Sequence, residues 1–219
     1  LVARVVGAGD WDTANRTLRQ SLLLGLVIGL VATALGVALA EPAILILGGD
    51  QDTLVPGATY LRIAASAFVC QAIVFVGNAC LRGAGDTRTT MFVMGVVNVV
   101  NVLVAWVAIN GPLGLPKLGV AGSALGSVAG RVAGSLLVIG MLLRGRNGLR
   151  LDLRRWALDP NLIKRVLRIG LPTGGERLLL RLGQMVFLRT VAGLGTVALA
   201  AHAVALRAVT SRDGMTADW

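Results

Sequence analysis

The stretch PTGGERLLLRLGQMVFLRT, residues 172–190, sets Glu176, Arg177, Arg181, Gln184 and Arg189 into an otherwise apolar run. Charged side chains inside hydrocarbon are costly, so they face a protein interior or a water-filled cavity, where they handle ions or substrate. At about 100° per residue, Arg177, Arg181 and Gln184 share one helical stripe, and Glu176 lies about 100° from Arg177. The i+4 neighbour that would neutralise Glu176 is Leu180. Two readings of Glu176 follow. It is a proton- or cation-binding carboxylate in a transport cavity, or a carboxylate one turn past Pro172, solvated or paired with nearby arginines.

Asn98 and Asn101, three residues apart, present both amides on one side of a helix, and Asn78, at the inner end of the preceding apolar segment, is placed where it could face them. The chemistry of such amides is either ligation of an ion or substrate, or interhelical hydrogen bonding worth about 1 kcal/mol or less per contact. Arg131 reads as a packed or snorkelling structural arginine, and His202 as a packing residue or a proton relay. No Ser/His/Asp or Cys/His grouping and no metal-ligand spacing occurs, and GAGDTR lacks the phosphate-loop pattern. An enzyme is not expected, nor a cofactor. Cys70 and Cys80, ten residues apart, point to different faces of one helix, which excludes a bond between them.

The elements that hold these residues are apolar helices. Gln20 to Ala40 runs twenty-one residues without a charge, and roughly 20 apolar residues cross a bilayer core. Further spans are expected at 57–81, 89–110, 118–143 and 171–193, with another beginning near Thr196. The composition agrees: 55% apolar, 15% charged and 29 glycines, where soluble chains carry about 25% charged residues. The fold class is an all-α transmembrane bundle.

A net charge of +10 raises nucleic acid as a partner, but the basic residues alternate between loops instead of sharing a surface. Arg4, Arg16 and Arg19 precede the first span; 41–56 holds Glu41, Asp50 and Asp52 with no Lys or Arg; 82–88 holds Arg82 and Arg88; 110–117 has only Lys117; 144–168 carries eight basic residues. By the positive-inside rule 1–19, 82–88 and 144–168 are cytoplasmic and 41–56 and 110–117 external, in a plasma (inner) membrane. The expected partners are membrane lipid and a small-molecule substrate, not nucleic acid. Within the basic connection Asp159-Pro160 is a helix start. Leu162, Ile163, Val166, Leu167 and Ile169 against Lys164, Arg165 and Arg168 then make a basic amphipathic helix, which Gly170-Leu171-Pro172 turns into the last span. The connection is either a hinge between two parts or an ordinary solvated loop. GAGD recurs at Gly7–Asp10 and Gly83–Asp86, a weak internal echo.

Several segments together carry a family resemblance. LRGAGDTRTTM (81–91), the NVVN pair (98–101), LGVAGSALGSVAGR (118–131) and IGLPTGGE…GLGTVALAAHAVALR (169–207) resemble the multidrug and toxic compound extrusion (MATE) family in its DinF-like branch, over nearly all of 1–209. The resemblance implies twelve helices in two lobes and export of organic cations or other amphipathic compounds against a Na⁺ or H⁺ gradient. It makes the spans helices 3–7 plus the start of helix 8. The implied domains are a partial N-lobe at 1–143, the lobe-connecting linker at 144–170 and the start of the C-lobe at 171–219. It makes Glu176, Asn98, Asn101 and Asn78 coupling candidates and Arg177, Arg181 and Gln184 cavity-lining ones. Many members carry an Asp where this chain has Ala105, and the two arginines suit a simple cation poorly. A lipid-linked precursor flippase of the same superfamily and a non-transporting remnant are the rival readings. The chain opens on LVARVVGAGD without an initiator Met and closes on SRDGMTADW after a short apolar stretch, so a piece of a longer protein is expected, with helices or a second lobe supplied elsewhere. Its rich use of Ala, Val, Gly and Arg suits a high-G+C bacterium.

Overall fold

A computed structural model describes residues 1–46, 51–111, 118–145, 148–151 and 159–193, with the side chains of 46, 51–53 and 188–193 left aside. The helices are α1 (Val2–Gly7), α2 (Trp11–Ala38), α3 (Ala40–Ile46), α4 (Gln51–Ser66), α5 (Phe68–Gly83), α6 (Thr87–Asn110), α7 (Gly119–Arg144) and α8 (Pro160–Gly193). Among the described residues α2, α6 and α7 are each long and apolar enough to cross a membrane, and α4 with α5 forms a fourth, bent span. The chain divides into two compact units, Leu1–Lys164 and Arg165–Trp219.

The first unit buries its largest side chains at one end, where Leu18, Leu81, Val93, Val138, Leu142 and Leu149 are wholly enclosed. Exposed Arg4, Arg16, Arg82, Arg88 and Arg144 mark the same, basic end of the bundle. Elsewhere the helices show apolar flanks outward, Ile28, Val31, Val102, Leu103 and Leu136 among them. That inversion of the soluble pattern suits hydrocarbon as the outer solvent.

Both GAGD turns are built alike. Gly9 and Gly85 take φ of +76° and +84°, a conformation that glycine adopts without strain. Asp10 N–H then donates to the Val5 carbonyl at 3.2 Å, and Asp86 N–H to that of Leu81 at 2.9 Å. Each Asp caps the following helix through a backbone N–H three residues on, Thr13 and Thr89, both at 3.0 Å. The echo in sequence is thus one repeated helix–turn–helix geometry. Thr13 holds the Asp10 carboxyl below its ordinary range, so this cap contributes above that range and is lost as pH falls through the lowered value. Asp86 is 6% exposed and also accepts from the Thr89 hydroxyl at 2.7 Å. Asp86→Ala should therefore cost about 2 kcal/mol, the upper end for a lost cap. Asp10→Ala, on an exposed carboxylate, should cost less. Thermal unfolding in detergent measures both.

The tightest contact is between α6 and α7. Gly122, Gly126, Gly130 and Gly134 line one face of α7, and a methyl on Gly126 would lie 2.6 Å from Ala105 Cβ and 2.8 Å from the Asn101 carbonyl oxygen. The four-residue glycine spacing was a legible signal for this contact, since small residues in register let membrane helices touch backbone to backbone.

Two sequence expectations change. The second span, expected as one helix over 57–81, is bent by 45° between α4 and α5. The cause is tertiary: α2 packs its glycines against the break, and side chains from α2 and α7 bond its carbonyls. The expected turn at Gly170-Leu171-Pro172 is absent, and the amphipathic segment continues into the last span as one helix, α8, with Pro172 inside it. Proline removes one backbone donor, and the Thr173 hydroxyl donates to the Ile169 carbonyl at 3.1 Å beside the gap. The start of α8 is as expected, with Asp159 Oδ1 accepting from Asn161 N–H at 3.0 Å and Leu162 N–H at 3.2 Å.

The near end of the basic connection is packed, not solvated. Leu149 and Leu151 are buried. The Asn15 side chain of α2 accepts from Arg150 N–H at 2.8 Å and donates to the Gly148 carbonyl at 3.4 Å.

Candidate functional site

Four of the candidates share α8. A shallow, open depression of about 490 Å³ lies along it, lined by Glu176, Leu179, Leu180, Gly183, Gln184 and Phe187, all of them exposed. These positions recur at helical spacing, so one stripe of α8 supplies the whole lining. Two polar groups, the Glu176 carboxylate and the Gln184 amide, stand in an otherwise apolar wall containing one aromatic ring. Arg177 and Arg181 are not part of this lining. Arg181 instead reaches along the helix, its Nη1 donating to Gln184 Oε1 at 3.2 Å. That bond occupies the amide oxygen and leaves the amide NH₂ as the donor Gln184 offers. Glu176 makes no ion pair among the described residues.

The asparagines separate. Asn101 Nδ2 donates to Ser127 Oγ on α7 at 3.3 Å, and Ser127 in turn donates to the Ser123 carbonyl at 3.3 Å. Asn98 is exposed. Asn78 is 2% exposed, and its Oδ1 has no hydrogen-bond partner among the described residues. No hydrogen bond links Asn78 to Asn98 or Asn101 among those residues; the three lie on α5 and α6 as separate polar positions.

Ala105 faces the α7 backbone at Gly126, so its small size is a packing requirement of the α6–α7 pair. Arg131 is half-buried and donates to the Ala64 carbonyl of α4 at 3.2 Å, the packed structural role expected for it. Sequence reasoning missed Thr33, whose hydroxyl donates to the neighbouring Ala65 carbonyl at 3.1 Å. A threonine in an apolar helix carries no pattern that names its partner. The Arg189 side chain and His202 lie outside the described residues.

Known proteins match this arrangement. The family model MatE matches residues 1–107. The probable multidrug resistance protein NorM of Thermotoga maritima is 29% identical over 208 residues, covering 94% of this chain and 44% of that protein. The probable NorM of Rhizobium meliloti is 32% identical over 214 residues, with the same 94% and 44% coverage. The chain thus spans less than half the length of the curated relatives it matches. Among solved structures, a MOP superfamily transporter from Pyrococcus furiosus, described as having a binding pocket of reverse polarity, matches with a TM-score of 0.84 at 26% identity, over 95% of this chain and 46% of that one. A multidrug resistance MATE family transporter matches in its outward-facing conformation with a TM-score of 0.76 at 27% identity over 87% of this chain and 42% of that one. The inward-facing conformation matches with a TM-score of 0.68 at 26% identity over 78% and 38%. These relatives are transport proteins and not enzymes. By family model, curated relatives and fold together, the chain matches the MATE family.

Proposed function

We propose that this chain forms part of a secondary transporter that exports amphipathic or cationic compounds by alternating access, driven by antiport of Na⁺ or H⁺. The observation that carries the reading is the open face of α8, a carboxylate with no ion-pair partner among the described residues in a largely apolar lining. Such a lining accepts the apolar body of a ligand while the carboxylate draws a cation, and differential ion binding then biases which way the site faces. Similarity to one transporter in both inward- and outward-facing conformations supports the two-state part of this reading. Glu176 is the coupling residue. Gln184 orients substrate from the same stripe, and Asn78, Asn98 and Asn101 are separate coupling candidates within the first unit. The lobes divide at the basic connection, 1–143 before it and 171–219 after it. Loops 1–19, 82–88 and 144–168 lie in the cytoplasm, next to the anionic leaflet of the inner membrane. The GDTRT loop and the Pro-x-x-x-Glu spacing favour the DinF-like branch.

A second reading, movement of an anionic amphiphile such as a lipid-linked precursor, draws on Arg177 and Arg181 beside the depression. The likeness to a transporter described as having a pocket of reverse polarity leans the same way. Dye-loaded vesicles containing a transport-competent protein with this chain test both. Efflux of a lipophilic cation that rises under an imposed Na⁺ or H⁺ gradient is expected. Gradient-independent movement of an anionic lipid, with no cation efflux, would replace the first reading by the second.

A further inference from the structure

The break between α4 and α5 is the least explained feature of the first unit, because nothing in its own sequence requires it. Residues 64–67 read Ala-Ala-Ser-Ala, three of them the strongest helix formers. Neither Pro nor Gly, the usual causes of a sharp kink, stands at the bend. A straight helix through Ala67 is therefore locally available, and the 45° bend is held by one side chain of the span itself and two from neighbouring helices.

Three side-chain donors hold it. Ser66 Oγ donates to the Ile63 carbonyl at 2.6 Å. Arg131 Nη1, from α7, donates to the Ala64 carbonyl at 3.2 Å. Thr33 Oγ1, from α2, donates to the Ala65 carbonyl at 3.1 Å. At the break the Ala64 carbonyl keeps a long i+3 bond from Ala67 N–H at 3.4 Å, and in a span where water is scarce a poorly partnered carbonyl is costly. The Arg131 bond is charge-assisted and so the strongest of its type. α2 closes on the same place, where a methyl at Gly36 would lie 2.8 Å from Ala65 Cβ.

We infer that the α4–α5 break is a latched hinge, with Arg131 and Thr33 as the positioning residues that keep the span bent. Arg131 needs a partner in the membrane, and the bent helix supplies the Ala64 carbonyl, whose backbone bond from Ala67 N–H is a long 3.4 Å. Each satisfies the other only while the bend persists. Removing the donors leaves a segment whose own propensity is to straighten, swinging α4, which carries Arg62 and its ion pair to Glu41 of α3. This goes beyond the transport reading and does not depend on any substrate or coupling ion.

Spin-label distances test it in the full chain with Cys70→Ala and Cys80→Ala. One label pair, at Val55 and Trp106, reports on the half of the span beyond the bend, and a second, at Phe75 and Met91, reports on the basic half; all four positions are exposed. Arg131→Met should shift or broaden the Val55–Trp106 distribution and leave Phe75–Met91 unchanged. Arg131→Lys, which keeps a charged donor, should retain most of the original distribution, and Thr33→Val should act like Arg131→Met with smaller amplitude. An unchanged Val55–Trp106 distribution in both Arg131→Met and Thr33→Val overturns the inference. Equal broadening of both pairs also overturns it, since that is general loosening. If Arg131→Met does not fold, Thr33→Val alone decides between the same outcomes.

Discussion

Glu176→Gln should reduce gradient-driven export to the rate seen without a gradient, a loss of about 10- to 100-fold if ion and substrate are coupled by the usual 1–3 kcal/mol. The amide keeps the size and hydrogen-bonding reach of the carboxylate but binds neither a proton nor Na⁺ at physiological pH. Leu180, one turn on, offers no replacement charge, and no ion pair among the described residues absorbs the carboxylate's role. Substrate binding should survive better than export, because the apolar lining of Leu179, Leu180 and Phe187 is untouched. Binding measured at equilibrium and efflux measured under an imposed gradient separate the two effects. Export by Glu176→Gln at the original rate would remove this residue from the coupling step.

Gly126→Val should be strongly destabilising to the first unit. Valine there adds a branched side chain where even one methyl would meet Ala105 Cβ at 2.6 Å and backbone atoms of Asn101 and Ala105 at 2.8 Å. Backbone does not rotate aside, so α6 and α7 must separate. Overpacking ordinarily costs about 1–3 kcal/mol, and a rigid contact puts this case at the top of that range or beyond. The separation also strips the Asn101–Ser127 hydrogen bond that spans the same interface. Gly140 is the internal control, on the same helix with nothing within 4 Å of a built methyl. Gly140→Ala should be neutral, or stabilising by up to about 1 kcal/mol through helix propensity. Melting curves of the two variants in one detergent give the comparison. Similar curves would mean that the α6–α7 contact is looser than its geometry.

Glu176 and the asparagines show how far sequence reading reaches into the site. Charge in an apolar run is visible from residue type alone, because the cost of burying it is the same wherever the chain goes, so Glu176, Gln184 and the arginines could be singled out. Which of them share a surface was harder. Helical spacing put Arg177, Arg181 and Gln184 on one stripe, yet the depression is lined by Glu176 and Gln184, with Arg181 bonded alongside. Long side chains choose partners by rotamer, which spacing does not fix. Asn78 and Asn101 could converge by spacing alone, and an interhelical hydrogen bond is the other reading of these amides. Asn101 bonds to α7, since a partner in space depends on how helices cross and not on where an amide sits along one of them.

The sequence by itself determined the long apolar helices, the Asp159-Pro160 helix start and the membrane as solvent, because hydropathy and capping act over a few residues. Only the tertiary structure decided the bend at Ala67, the union of the amphipathic segment with the last span, and the packing of 148–151 onto Asn15. Each of these rests on groups far apart in the chain. Arg131 and Ala64 are separated by 67 residues, and Arg150 and Asn15 by 135. A local pattern carries no term for such a partner, whereas a buried carbonyl that lacks one decides the conformation.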